Sequence, residues 1–173
     1  MPEDHRSYII GAHRFDAEPL APGLYVVATP IGNLGDMTVR ALATLAAAET
    51  VLCEDTRTSA KLMERFAIKT RLAPYHEHNA QKVRPEILER LKQGATIALI
   101  SDAGMPLVSD PGYRLVKEAA GLGIPVTACP GASAVLTGLA LSGLPTDRFL
   151  FAGFVPQKQG ERKRLFAEFA RLK

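Results

Sequence analysis

The chain has 173 residues, of which 47% are hydrophobic, 23% are charged and 6% are aromatic, and its formal net charge is +3. This composition suits a folded globular protein and excludes disorder or a collagen-like repeat as a global description. No stretch approaches the roughly 18 uninterrupted apolar residues of a membrane span. The first residues also lack the basic-then-apolar order of a secretory signal, so we expect a cytoplasmic protein.

Residues 1–22 form a weakly patterned arm, whose single candidate element is a short edge strand at residues 8–10. Beyond the arm, short apolar runs bounded by glycine, proline or polar residues predict buried strands. These strands cover residues 24–28, 50–53, 71–75, 96–100, 125–128 and 149–154.

Apolar residues at helical spacing predict helices between and after these strands. The helices follow Asp36, cover residues 58–66, run from Asn79 to Gly94, and cover residues 113–120, 132–141 and 163–173. Asp36 and Asn79 are candidate N-caps, because their short polar side chains can accept hydrogen bonds from free backbone N–H groups.

The alternation of strand and helix predicts an α/β fold with a mostly parallel five-stranded sheet and flanking helices. We expect the arm, residues 1–22, to be followed by one domain at residues 23–148. The last helical pattern continues to the end of the sequence without a stop signal. We therefore expect residues 149–173 to begin a second α/β domain that is truncated here.

Disulfide and metal chemistry have little support in the sequence. Cys53 and Cys129 lie in apolar strands and far from any CxxC spacing, so they are expected to be small buried hydrophobic residues. His76 and His78 resemble a metal-binding pair, but no third ligand stands nearby at the spacing of a zinc site. We therefore expect no metal.

Three loops that follow predicted strands are rich in glycine and proline, at residues 28–36, 101–112 and 128–134. Ligands bind beyond the carboxyl ends of parallel strands, where such loops converge. The second loop is the strongest candidate, because it is about twice as long as a simple connection needs. The first has G-x-x-G and not G-x-G-x-x-G, which argues against a tightly bound pyrophosphate. Close packing of a helix on the sheet would explain the third nearly as well.

Charged residues follow the second strand of the predicted domain. Asp55 and Arg57 could position a substrate, although Asp55 could also simply cap the next helix. Arg57 and Lys61 begin a basic run that extends to Arg71, which indicates either a solvated helix face or a surface that contacts phosphates. The sequence has neither a G-x-S-x-G elbow nor a P-loop, which removes those hydrolase and nucleotide-binding classes.

Taken in order, these loops resemble the tetrapyrrole-methylase superfamily of S-adenosylmethionine-dependent methyltransferases. The motifs that carry the resemblance lie in residues 24–36, 53–57, 76–79, 101–112 and 130–134. Members that methylate tetrapyrroles typically have G-D-P where this chain has Gly104-Met105-Pro106. The resemblance is therefore to the branch that methylates the ribose 2′-hydroxyl of a cytidine in 16S ribosomal RNA.

The resemblance implies a two-domain enzyme, usually a homodimer, that binds S-adenosyl-L-methionine in the cleft between its domains. The partner would be 16S rRNA or the small ribosomal subunit, with no membrane and no metal. The implied cofactor contacts come from all three loops, at Pro30, Leu34, Gly104, Met105, Val108, Ser133 and Ala134.

Transfer of a methyl group to a ribose hydroxyl requires alignment of the reactants, and removal of the hydroxyl proton assists it. Asp55 and Asp102 are the acidic candidates for that catalytic role. Arg57 and Lys61 are the candidates for binding RNA phosphates.

Three other functions stay open on the sequence alone. A tetrapyrrole methylase of the cobalamin or siroheme pathways is the nearest alternative. A nucleotide-dependent oxidoreductase is opposed by the incomplete glycine motif after the first strand. A non-catalytic RNA-binding module is opposed by the lack of aromatic stacking residues along the strands.

Overall fold

The computed structural model describes residues 6–107 and 112–171. Within these residues the strands are β1 (Ser7–Ile10), β2 (His13–Asp16), β3 (Gly23–Val27), β4 (Thr50–Cys53), β5 (Arg71–Pro74), β6 (Thr96–Leu99) and β7 (Val126–Cys129). The helices are α1 (Val39–Ala47), α2 (Thr56–Arg65), α3 (Ala80–Lys92), α4 (Tyr113–Gly121), α5 (Ala134–Leu141) and α6 (Gln159–Phe169).

The centre of the fold is a five-stranded sheet in the order β5-β4-β6-β3-β7. Every neighbouring pair is parallel, with Val26 opposite Leu99 between β3 and β6, and Val27 opposite Cys129 between β3 and β7. The predicted α/β fold with a parallel five-stranded sheet is confirmed.

The central strands β3, β4 and β6 are covered on both faces, to which successive side chains of a strand point in turn, whereas the edge strands β5 and β7 are partly exposed. On one face, Val51 packs in a cluster with Leu42 of α1 and Met63 of α2. On the other face, the next residue, Leu52, packs with residues of α3 and α4, such as Leu115. Strands covered on both faces form near-continuous apolar runs, which explains why they could be found in the sequence.

The candidate strand at residues 8–10 of the N-terminal arm is confirmed as β1, and it pairs with a second strand, β2, that was not predicted, in an antiparallel hairpin. β1 pairs with β2 through a two-residue turn, in which Gly11 has the positive φ of +62° that tight hairpin turns require. Tyr8 is buried and stacks on Phe15, with ring centroids 5.5 Å apart. The backbone N–H of Ile9 donates to the Phe66 carbonyl at 2.8 Å, which attaches the hairpin to the end of α2.

Two predicted N-caps act differently from expectation. Thr38 caps α1, its hydroxyl accepting from the Ala41 N–H at 3.1 Å, whereas Asp36 lies in the preceding 3-10 turn. Asn79 stands at the N-cap position of α3, but its side chain accepts from His76 N and donates to the Pro74 carbonyl, both at 2.9 Å. The side chain thus closes the loop before the helix and makes no cap bond, and Lys82 N donates instead to the backbone carbonyl of Asn79 at 2.9 Å.

The strand predicted at residues 149–154 does not form within the described part of the chain. This segment is exposed, with Phe154 at 88% of its full accessibility. An apolar run becomes a strand only where another strand offers backbone partners.

α6 follows, and it begins four residues earlier than predicted, at Gln159. The domain boundary expected after residue 148 stays a prediction.

Candidate functional site

The carboxyl ends of β4, β6 and β3 lie side by side in the sheet. β4 leads into α2 on one face, whereas β6 leads towards α4 on the other face. Chain segments that leave adjacent strands towards opposite faces open a crevice at the edge of the sheet, the usual ligand position in open α/β folds. The first two glycine-rich loops lie at this crevice.

A pocket of about 250 Å³ occupies the crevice. Small-molecule sites usually enclose about 300–1,000 Å³, so this pocket can surround only part of a cofactor-sized ligand. Its lining residues are Thr29, Pro30, Gly32, Asn33, Leu34, Thr58, Lys61, Leu62 and Asp102.

Four residues singled out in the sequence therefore meet in one pocket. Pro30 and Leu34 come from the loop after β3, Lys61 from α2, and Asp102 from the loop after β6. Thr58 and Leu62 also line the pocket and were not predicted. Thr58 lies three residues before Lys61 and four before Leu62, and this helical spacing was the available signal.

The first two loops are joined by backbone hydrogen bonds. Thr29 N donates to the Gly104 carbonyl at 2.9 Å, and Gly104 N donates to the Thr29 carbonyl at 3.0 Å. The buried Thr29 hydroxyl also donates to the Ser101 carbonyl at 3.0 Å. Gly104 has a φ of +79°, and a Cβ there would lie 3.2 Å from Cγ2 of Ile31. Glycine at position 104 thus permits both the turn and the close approach of the loops.

The third loop packs against the other two and contributes no side chain to the pocket lining given above. A Cβ at Gly131 would lie 2.9 Å from the Ala28 Cβ, which is closer than real Cβ contacts allow. Ser133 caps α5, its hydroxyl accepting from Leu136 N at 3.5 Å, and Ala134 is the first residue of that helix. This close approach is between loops, whereas α5 itself has no buried residue, so the close packing of a helix on the sheet that would also have explained this loop is not observed.

Asp55 and Asp102 are linked directly, since Asp55 N donates to Asp102 Oδ1 at 3.3 Å. The carboxylate of Asp55 is itself held by Arg57, whose Nη2 donates to Oδ2 at 2.9 Å and whose backbone N–H donates to Oδ1 at 2.8 Å. These hydrogen bonds, first the side chain's and then the backbone's, lower the pKa of Asp55 to about 2. Arg57 is 88% exposed and yet paired.

The remaining cofactor candidates are only partly described. Met105 is half-buried beside Gly104 in the loop after β6. Val108 lies outside the described residues. A contact between the cofactor and either residue stays a prediction.

Other reactive side chains lie apart from the pocket. Cys53 and Cys129 are buried and form no disulfide, and burial raises the pKa of the Cys53 thiol. The rings of His76 and His78 stand edge to face at 6.0 Å. Within residues 6–107 and 112–171, no three histidine, cysteine or acidic side chains converge as a metal site would require. Across that same part of the chain, none of the helices has the length and apolar character to cross a membrane.

The fold and the three loops are those of one class of proteins, the tetrapyrrole (corrin/porphyrin) methylases. The model of this family matches residues 23–172, and the chain belongs to the family. The resemblance drawn from the loop motifs is thereby confirmed. The chain is 58% identical over 154 residues to ribosomal RNA small subunit methyltransferase I of Mesorhizobium japonicum, which covers 89% of this chain and 52% of the relative. It is 49% identical to the protein of the same name from Rickettsia prowazekii, over 89% of this chain and 55% of that one.

The chain thus spans about half the length of the curated relatives that it matches. Solved structures agree on the fold. Diphthine synthase has a TM-score of 0.56 at 21% identity, over 70% of this chain and 49% of that one. Uroporphyrin-III-C-methyltransferase from Thermus thermophilus has a TM-score of 0.52 at 24% identity, over 72% and 53%.

Proposed function

We propose that the full-length protein is an S-adenosylmethionine-dependent methyltransferase that methylates the ribose 2′-hydroxyl of a cytidine in 16S ribosomal RNA. The observation that carries this proposal is the pocket at the carboxyl ends of β3, β4 and β6, where Pro30, Leu34, Lys61 and Asp102 meet. The names of the relatives, at 49% and 58% identity, support ribosomal RNA as the substrate.

The pocket's volume of about 250 Å³ suffices for part of S-adenosylmethionine. Gly104 and Gly131 have no Cβ where the loops approach each other, so the loops can pack closely, although neither glycine lines the pocket itself. The pocket is too small to enclose the whole cofactor, so further walls are needed, which accords with a second domain closing over the pocket. The residues proposed to hold the cofactor are Pro30, Leu34, Gly104, Met105, Val108, Ser133 and Ala134.

When bound, S-adenosylmethionine supplies an electrophilic methyl group on a sulfonium. The chain's own contribution is to align the ribose hydroxyl and to accept its proton. Asp102 suits the second task, because it lines the pocket and its Oδ1 is oriented by the Asp55 N–H. With a pKa of about 2, Asp55 is a weak base, so we propose that it positions Asp102 and does not take the proton.

Lys61 and Arg57 are proposed to contact RNA phosphates. Lys61 lines the pocket from α2, one helical turn beyond Arg57. The pairing of Arg57 with Asp55 leaves its guanidinium largely in solvent, where it can still meet a phosphate.

We also carry forward the expected homodimer and cytoplasmic location as proposals. The small ribosomal subunit is a cytoplasmic substrate, which favours that compartment. α5 has no buried residue in this structure, and its Leu141 is 82% exposed, so an apolar surface is open to a further domain or a second copy. Light scattering on the full-length protein measures the oligomeric state.

The decisive experiment incubates the full-length protein with labelled S-adenosylmethionine and small-subunit particles from a strain in which its gene is deleted. We expect label at one cytidine ribose of the 16S rRNA. Label on a base, or only on an added porphyrinoid, would overturn the assignment. Calorimetry with S-adenosylhomocysteine and NAD on the same sample separates a methyltransferase from an oxidoreductase.

A further inference from the structure

A second cavity, of about 180 Å³, lies beside the pocket described above. Its walls come from the tip of the N-terminal hairpin, the 3-10 turn after β3 and the end of α2. The lining residues are Ile9, Ile10, Gly11, Leu34, Gly35, Arg65 and Phe66. The family match begins at residue 23, so the hairpin wall is supplied by residues outside the matched part of the fold.

The hairpin wall is held in place by its contacts. Ile9 N donates to the Phe66 carbonyl at 2.8 Å, and Tyr8 is 5% exposed, packed in the core that α1 and α2 share. Ile10, the residue after Ile9, is 37% exposed and lines the cavity. The cavity therefore has a fixed apolar side that does not depend on a ligand.

The two cavities share one wall residue, Leu34. On α2, Lys61 faces the first cavity and Arg65 the second, and residues four apart lie on one helical face, about 6 Å along the axis. Lys61 and Arg65 therefore lie close enough together to contact phosphates of neighbouring nucleotides in one strand.

The charge of the second cavity is positive. Arg65 is exposed, and within the described residues no acidic side chain forms an ion pair with it. An apolar wall beside an unpaired guanidinium matches the two parts of a nucleotide, a base with apolar faces and an anionic phosphate.

We propose that this second cavity is a subsite for a nucleotide that flanks the methylated one, with its base against Ile10 and Phe66 and its phosphate on Arg65. The inference rests on the proposed function, because it takes RNA as the substrate. It gives the N-terminal hairpin a role in selecting the RNA segment that enters the site.

The test uses two variants of the full-length protein, each with a matched control. Arg65→Ala is compared with Lys117→Ala, which removes an exposed cation of α4 that lines neither cavity and lies outside the basic run. Ile10→Ser is compared with Val39→Ser, since Val39 is 58% exposed and also lines neither. Methylation of small-subunit particles, RNA affinity against salt, and affinity for S-adenosylhomocysteine are measured for each.

We expect Arg65→Ala to lower kcat/KM for RNA about tenfold and to reduce the salt slope of RNA binding by about one unit. Ile10→Ser should lower kcat/KM about fivefold through loss of base contact. S-adenosylhomocysteine affinity should stay unchanged in both, and the control variants should behave as wild type. Photocrosslinking from 4-thiouridine beside the target should reach residues 9–11 or Phe66.

Two failures are distinguishable. If wild type methylates the RNA but both cavity variants match their controls, the subsite is wrong and the proposed function stands. If wild type neither binds nor methylates RNA, the proposed function is wrong and the subsite falls with it.

Discussion

Thr29 and Gly104 exchange two backbone hydrogen bonds, of 2.9 and 3.0 Å, across an isolated antiparallel bridge. Thr29 lies just after β3, and Gly104 lies in the loop after β6. These two strands are neighbours in the sheet. The bridge makes the two loops one rigid rim of the pocket. A substitution that breaks it should act on stability and on ligand binding together.

Gly104→Val should lower both the stability and the S-adenosylhomocysteine affinity of the full-length protein. A left-handed residue with a Cβ costs about 1–2 kcal/mol, and the Cβ would also press on Ile31, which stands 3.2 Å away in the first loop. We expect at least about a tenfold loss of affinity, equal to about 1.4 kcal/mol. Thermal unfolding and calorimetry on one sample measure both quantities.

Gly121→Ala is the matched control, since no atom lies within 4 Å of its new Cβ and its φ is not positive. It should leave affinity unchanged. If folded Gly104→Val protein binds as tightly as wild type but melts earlier, Gly104 serves the turn alone.

The two linked carboxylates should differ in their contribution to the reaction. Asp102→Asn should lower kcat about 100-fold, because an amide cannot accept the ribose proton. Asp55→Asn should change kcat less than about threefold, since asparagine is as good an N-cap and the backbone N–H to Asp102 remains. Single-turnover methylation measures both. A larger loss in Asp55→Asn would reverse the assigned roles.

Arg57→Ala should raise the pKa of Asp55 from about 2 towards the ordinary value of about 3.9, because the guanidinium is the first cause of its depression. A depressed carboxyl pKa stabilises the fold above the unfolded-state pKa, and this contribution is lost as pH falls from about 4 to about 2. The stability difference between variant and wild type should therefore be present above pH 4 and vanish near pH 2. NMR titration of the Asp55 carboxyl carbon and urea unfolding test this.

Arg57→Ala should also weaken RNA binding while leaving cofactor affinity unchanged. The guanidinium is 88% exposed and lines neither cavity. Loss of one phosphate contact should reduce the salt slope of RNA binding by about one unit. Equal losses of RNA and S-adenosylhomocysteine affinity would show that Arg57 supports the cofactor pocket.

Both cysteines should be unreactive in the folded protein. Cys53 is fully buried and Cys129 is 1% exposed, and burial raises the pKa of the Cys53 thiol, so little thiolate forms. A chromogenic disulfide reagent at pH 8 should detect no thiol before unfolding and both described thiols after it. Rapid labelling of native protein would indicate that this part of the sheet opens readily.

The central strands were predictable because their local pattern and their final environment agree. β4 was predicted with its observed bounds, Thr50–Cys53, since a strand buried on both faces is a continuous apolar run. The run at residues 149–154 has the same character, yet it remains exposed without a strand partner in the described part of the chain. Composition indicates burial, but it does not say whether a partner strand exists.

Only β1 of the N-terminal hairpin was predicted, as a candidate strand at residues 8–10, and β2 was missed for the converse reason. The two strands have four residues each, and β2 is exposed along its whole length, so no periodic apolar pattern marks it. Its order comes from Tyr8 packing into the core and from the bond between Ile9 and Phe66. An isolated two-stranded hairpin is marginal in water, so this element depends on the surface that it covers.

By itself, the sequence determined the alternation of strands and helices, the three glycine-rich loops and the family to which they belong. Only the tertiary structure decided which of those loops meet. Asp55 and Asp102 are 47 residues apart and yet share a hydrogen bond, because β4 and β6 are neighbours although β5 lies between them in the chain. Periodicity reports whether a residue faces the core, but the order of strands in a sheet follows from long-range packing, which no local pattern contains.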